Sequence, residues 1–136
     1  MPGGDRATYY PARILLGTLI NALGDDEALK IFQSNGLQRY LPGGLSEALL
    51  IIKQTKNSLM TSSAGRFLDA VSAALGVAWR RTYEGEPAIT LEEYSYGGSI
   101  LSDNLLETEG DIVKTSEFIV KLLQGEIKHS PRDIAY

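Results

Sequence analysis

The sequence has no cysteine and only one histidine, His129, in 136 residues. The first absence excludes disulfides, thiolate metal sites and cysteine nucleophiles, and suits a reducing cytoplasm. A single histidine cannot supply the usual multi-ligand metal centre, and His129 stands just before a helix-start signal, where a surface role is expected. No apolar run approaches the roughly 20 residues needed to cross a bilayer, and no secretory signal opens the chain, so no membrane partner is expected. Positive charge is also short. The formal net charge is −4, which argues against a general nucleic-acid surface, and the one tryptophan, Trp79 beside Arg80 and Arg81, is expected at a partner surface or in the core rather than stacked on bases. Internal repeats, low-complexity segments and linkers are absent too.

What is present is ordinary for a single globular domain: 43% hydrophobic and 22% charged residues in a length that buries roughly two-thirds of its unfolded surface. The dominant period is helical. Leu15, Leu16, Leu19, Ile20 and Leu23 form one stripe, with Pro11 in the first turn and Gly24 as the cap. Asp25 is the expected N-cap of a second helix running to about Gln33. Leu45, Leu49 and Ile52 give a third stripe after the Pro42-Gly43-Gly44 turn. Ala64, Phe67, Leu68, Val71, Ala74 and Leu75 give a fourth, stopped at Gly76. Residues 77–95 fit either a β-hairpin or a short helix with Pro87 in its first turn. Residues 97–110 read as an irregular loop. Thr115 or Ser116 caps a further helix to Gln124, and Ser130-Pro131 starts a last one. The ends read as cut, because a helix so well started should run beyond one turn.

Two short stretches could carry chemistry. Thr61-Ser62-Ser63-Ala64-Gly65-Arg66 places free backbone N–H groups, two serine hydroxyls and one cation at a helix N-terminus, the elements of an anion or phosphate site. The plainer reading is a serine N-cap followed by a surface arginine. The stretch is no Walker A loop, since it lacks the terminal Gly-Lys-Ser/Thr. Pro2-Gly3-Gly4-Asp5 joins glycines that admit a close ligand to a carboxylate able to hold ribose hydroxyls, or is a simple turn into a helix. The acidic pairs Asp25-Asp26 and Glu92-Glu93 suit solvated helix positions. Tyr83-Glu84-Gly85 suggests no mechanism by its residue types.

These stretches together resemble the HypF carbamoyltransferases, the hydrogenase maturation factors. Thr61-Ser62-Ser63-Ala64-Gly65-Arg66-Phe67-Leu68-Asp69-Ala70-Val71, then Ala74-Leu75-Gly76, then Tyr83-Glu84-Gly85-Glu86-Pro87-Ala88, is similar to that family's T-S-S-A/M-G-R-L-F-D-A-V, A-x-L-G and Y-E-G-Q/E-A-A in order and spacing. Pro2-Gly3-Gly4-Asp5-Arg6-Ala7 resembles its P-G-G-D-x-A. The match is strongest over residues 2–13 and 59–93 and weak over 96–125.

The resemblance implies a mainly α subdomain of about five to seven helices with at most a short β-hairpin, inserted in an actin/sugar-kinase-like ATPase domain. It favours the helical alternative for residues 87–95. HypF-type enzymes make carbamoyl adenylate from carbamoyl phosphate and ATP in a YrdC-like domain, and a second domain passes the carbamoyl group to the C-terminal cysteine of HypE. On this reading Ser62, Ser63, Gly65 and Arg66 face nucleotide or carbamoyl adenylate, and Gly3, Gly4 and Asp5 approach the ribose. The partners implied are HypE and the other HypF domains. ATP and a metal ion are implied for the full-length family, with no cofactor and no turnover expected of this region alone. Several family features are missing here: the acylphosphatase-like, zinc-finger and YrdC-like regions, and the histidine pair and aspartates that hold the metal. Phe67-Leu68 inverts the usual Leu-Phe order, and Glu86-Pro87 replaces a commoner Gln-Ala. The other class of reading is a stand-alone helical interaction module that self-associates through an exposed apolar face.

Overall fold

The computed structural model describes residues 4–56 and 61–136; Gly3, one of the ribose-side residues, lies outside them. The described chain is helical: α1 Asp5–Tyr9, α2 Pro11–Leu23, α3 Asp25–Ser34, a 3-10 turn Leu37–Tyr40, α4 Gly44–Thr55, α5 Ala64–Ala74, α6 Glu86–Ser95, α7 Thr115–Leu123 and α8 Pro131–Ala135. That is one helix more than about five to seven: the extra one is α1, a five-residue helix that periodicity does not resolve, whereas α8 follows the Ser130-Pro131 start signal.

Helix α2 is the axis. Every residue from Pro11 to Gly17 is buried, and α1, α3, α4, α5 and α7 all pack on it. A helix that is apolar over most of its circumference must be surrounded, since burying its surface is the main favourable term in folding. Gly24 ends α2 and starts α3 in one step. At φ +84° and ψ 174° it adopts a conformation that side-chain-bearing residues rarely enter. The N-cap of α3 is therefore Gly24, and Asp25 is the first helical residue, where its charge favours the helix dipole. Asn35 closes α3 and reaches across, its Nδ2 donating to the Leu123 carbonyl at the end of α7 at 3.1 Å.

The third stripe is corrected. Helix α4 buries Glu47, Ala48 and Ile51, while Leu45, Leu49 and Leu50 are 43%, 46% and 55% exposed. An apolar periodicity reports a face but not which way it turns. Here the inward direction is set by Glu47, which meets the buried Arg13 of α2. Glu47 also accepts the Gly43 N–H at 2.7 Å, and Arg13 Nη2 donates to Gln54 at 2.9 Å.

Residues 86–95 are helical. Glu86-Pro87 starts α6 without disturbing it: Pro87, in the first turn, is fully buried, and its missing N–H would have been unpaired there anyway. The inverted Phe67-Leu68 pair puts Phe67 edge-on to Phe118 of α7, with centroids 5.9 Å apart, and leaves Leu68 outside. The one sheet among the described residues is the hairpin Thr108–Glu109 (β1) with Ile112–Val113 (β2), paired antiparallel around Gly110 at φ +59°. It lies where an irregular loop with a helix after it was expected. The Gly110-Asp111 turn is its only sequence signal. Lys114 is the N-cap of α7, one residue before the expected serine or threonine. Ser130 caps α8, accepting from the Asp133 N–H at 3.1 Å.

Candidate functional site

The α5 turn forms as the sequence suggested. Ser63 is the N-cap, extended at φ −67° and ψ 119°, and its hydroxyl makes no capping bond. Its own N–H donates to Thr61 Oγ1 at 3.2 Å. The Ser63 carbonyl takes the N–H groups of Arg66 and Phe67, which leaves those of Ala64 and Gly65 without an acceptor among the described residues. Ser62, Ser63 and Gly65 are all exposed. This end of α5 therefore offers two hydroxyls and two outward N–H groups at the positive pole of an 11-residue helix. Gly65 is not there for its backbone angle, because its φ is not positive and an added Cβ would only touch Ser63 Oγ at 3.8 Å.

Arg66 is not a free surface cation. Its Nη1 donates to Asp69 Oδ2 at 2.8 Å one turn along α5, and the Asp69 side chain is 6% exposed. Burial pushes the Asp69 carboxyl above its ordinary range, against the pull of Arg66 and, more weakly, of Arg81. The guanidinium is held in one direction with its remaining donors available. Asp69 and Arg81 were not among the residues picked from the sequence. Asp69 sits inside the quoted motif and is buried, one turn after Arg66, the i, i+3 spacing that would have paired them.

Gly4 and Asp5 open α1. Gly4 sits at φ +52°, so glycine is required there for its conformation. Asp5 is exposed in the first turn, and its carboxylate makes no hydrogen bond or ion pair among the described residues. No such bond joins this turn to Ser62, Ser63 or Arg66 either. The link is indirect: the Arg81 N–H donates to the Tyr9 carbonyl at the end of α1 at 2.8 Å, and the Arg81 charge acts weakly on Asp69.

The segment after α5 is built to hold this arrangement. Glu86 folds back onto Thr82, accepting from its hydroxyl at 2.8 Å and from its N–H, and these bonds hold the Glu86 carboxyl below its ordinary range. Gly85 precedes α6 at φ +81°, which gives the Tyr83-Glu84-Gly85 stretch a structural reason. His129 pairs with Asp103 at 2.9 Å. Among the described residues no three His, Asp or Glu side chains gather as a metal site, and no helix is long and apolar enough to cross a membrane.

A helical array around a central α2 is the second subdomain of a Kae1-like carbamoyltransferase domain, and the family model of that description matches residues 1–136. The chain belongs to the HypF carbamoyltransferases. It is 38% identical over 128 residues to the probable carbamoyltransferase HypF of Methanocaldococcus jannaschii, covering 87% of this chain and 16% of that protein. Against carbamoyltransferase HypF of Rhodobacter capsulatus the identity is 40% over 91 residues, 66% of this chain and 11% of the relative. The crystal structure of T. kodakarensis HypF superposes with a TM-score of 0.82 at 33% identity, over 100% of this chain and 18% of that one. The chain thus spans less than a fifth of the relatives it matches, and the longer HypF proteins carry other domains around the equivalent region.

Proposed function

We propose that this chain forms one wall of the nucleotide or carbamoyl-adenylate site of a HypF-type carbamoyltransferase, which passes the carbamoyl group to the C-terminal cysteine of HypE in hydrogenase maturation. The observation that carries the reading is the α5 turn: exposed Ser62 and Ser63, open N–H groups at Ala64 and Gly65, and Arg66 steered by a buried carboxylate. In this role the helix pole and the hydroxyls take phosphoryl oxygens of ATP or of the acyl phosphate. Arg66 offsets the anionic charge, and Gly65 gives the ligand access to the backbone. Asp5, exposed and without a partner among the described residues, would accept from ribose hydroxyls, with Gly4 and, by the family resemblance, Gly3 on the same side. ATP is the ligand these donors fit. The described residues are given no metal-binding role.

The test is ATP titration of the 136-residue chain, followed by amide resonances. Shifts should saturate at Ser63, Ala64, Gly65 and Arg66, and Arg66→Ala should weaken the response. If saturating ATP moves none of them, the site assignment fails.

A second reading has its own observation. The outward face of α4 carries Leu45, Leu49 and Leu50, an apolar stripe suited to a partner or a second copy. A concentration-dependent dimer in sedimentation, abolished by Leu49→Ser, would favour the interaction-module class.

A further inference from the structure

Three segments far apart in sequence bring aromatic rings and arginines onto one strip. Arg39, in the 3-10 turn, lies with its Cζ 4.8 Å from the Tyr40 ring centroid and donates from Nη2 to Tyr40 Oη at 2.8 Å. The Tyr40 ring stacks on Trp79, with centroids 5.7 Å apart and planes 15° from parallel. Arg80 and Arg81 follow Trp79 in the chain, and the Arg81 guanidinium lies 6.0 Å from the Tyr9 ring. Trp79 and Tyr9 are each 52% exposed.

Lys30, Lys56, Lys114 and Lys121 each have a carboxylate within ion-pair distance. Arg39, Arg80 and Arg81 have none among the described residues. Arg6, Lys53, Lys128 and Arg132 also lack an ion pair among the described residues, but on this strip such cations stand beside two stacked rings. The neighbouring acids are committed elsewhere, Asp69 to Arg66 and Glu86 to Thr82, which leaves Glu84 as the exposed acid on the flank. Arg80 and Arg81 act only weakly on Glu86 and Asp69, so positive charge stands largely unpaired beside stacked, pre-ordered rings, in a chain of net charge −4.

We infer that the strip from Arg39 to Tyr9 is a docking surface for an extended peptide segment bearing carboxylate side chains. Guanidinium groups take carboxylates in paired hydrogen bonds. The rings offer apolar area with little further loss of side-chain freedom, because Tyr40 and Trp79 are already held against each other. Charge density chooses between acidic partners. A nucleic-acid strand carries a phosphate at every step and would run on over the acidic remainder of the chain. A peptide with a few carboxylates matches three arginines and ends there. The inference does not depend on the nucleotide reading of the α5 turn, since neither Ser63 nor Arg66 is part of the strip.

Trp79 is the sole tryptophan and reports its own occupancy. The chain is titrated with a blocked peptide of alternating glycine and glutamate while Trp79 emission is followed, with a glycine–lysine peptide and oligo(dT) as comparisons. A saturable change is expected with the glutamate peptide alone, weakened by a rise in salt. The Arg39→Gln/Arg80→Gln double variant should weaken it roughly tenfold, since each exposed charge pair contributes modestly. Arg39→Glu/Arg80→Glu should reverse the preference toward the lysine peptide. Arg80 is exposed, so Arg80→Gln alone carries the comparison if the double variant does not fold. An absent response, an equal response to the lysine peptide, or tighter binding of oligo(dT) overturns the inference.

Discussion

Arg13 and Glu47, 34 positions apart, meet side chain to side chain in the interior where α2 packs on α4. The pair is almost wholly buried, and its other polar atoms find Gln54 and the Gly43 N–H. Removing one partner leaves a desolvated charge. Glu47→Gln should therefore cost about 3–5 kcal/mol, whereas a volume-matched apolar pair, Arg13→Met with Glu47→Leu, should lose far less or nothing. Urea unfolding of the two variants checks this. Equal losses in both would mean that the pair is not the source of the cost.

The two sides of α4 make opposite predictions although the same residue types occupy them. Ile51 is fully buried and Leu49 is 46% exposed. Ile51→Ala should cost about 2–5 kcal/mol through lost burial and the cavity left behind. Leu49→Ser should stay within about 0.5 kcal/mol, as surface changes do. Thermal unfolding of both would show whether α4 is turned as described.

Two glycines at the proposed site are there for different reasons. Gly4 holds a φ of +52°, so Gly4→Ala should cost about 1–2 kcal/mol in strain. Gly65 has helical geometry and room for a methyl group. Gly65→Ala should leave stability unchanged or raise it by up to ~1 kcal/mol, while blocking close approach of an anion. If the nucleotide reading holds, this variant keeps its melting temperature and loses the ATP-induced shifts at Ser63 and Arg66. Unaltered shifts would argue that no ligand comes close to that backbone.

Much of the fold was legible because its signals are local. Pro11 and Gly24 bound α2, Gly76 follows α5 and Ser130-Pro131 starts α8, since caps and stops act on the residues beside them. The direction of α4 was not legible. Leu45 and Leu49 make the stronger apolar stripe, and only the meeting of Arg13 with Glu47, a contact between distant segments, turns the other face inward. The hairpin at residues 108–113 was hidden for the related reason that two-residue strands have no period to read. At the candidate site the motif supplied Ser62, Ser63, Gly65 and Arg66. The state of Arg66 depends on Asp69 being buried, and the link from Arg81 to Tyr9 depends on how the loop after α5 returns to α1. Neither is encoded in spacing.

Asp69 gives the domain a pH dependence of definite sign. Burial raises its carboxyl above the ordinary value of 3.8, with Arg66 and then Arg81 opposing. Between that value and the raised one, the folded chain binds more protons at this position than the unfolded chain. The Asp69 contribution to stability is therefore present at low pH and is lost as pH rises through the raised value. Glu86, Glu107, Glu109 and Asp133 act the other way. Their carboxyls are held low by Thr82, Lys121, Lys114 and Ser130 respectively, so what they contribute is lost on acidification. Comparing Asp69→Asn with the parent chain isolates the first term, since the four exposed groups are common to both and Arg66 stays charged throughout. The stability of the parent relative to Asp69→Asn should fall as pH is raised from about 4 toward neutrality. Urea unfolding across that range measures it. A flat difference would mean that Arg66 cancels the effect of burial, and one that rises with pH that Arg66 outweighs it; in either case the Asp69 carboxyl is not raised.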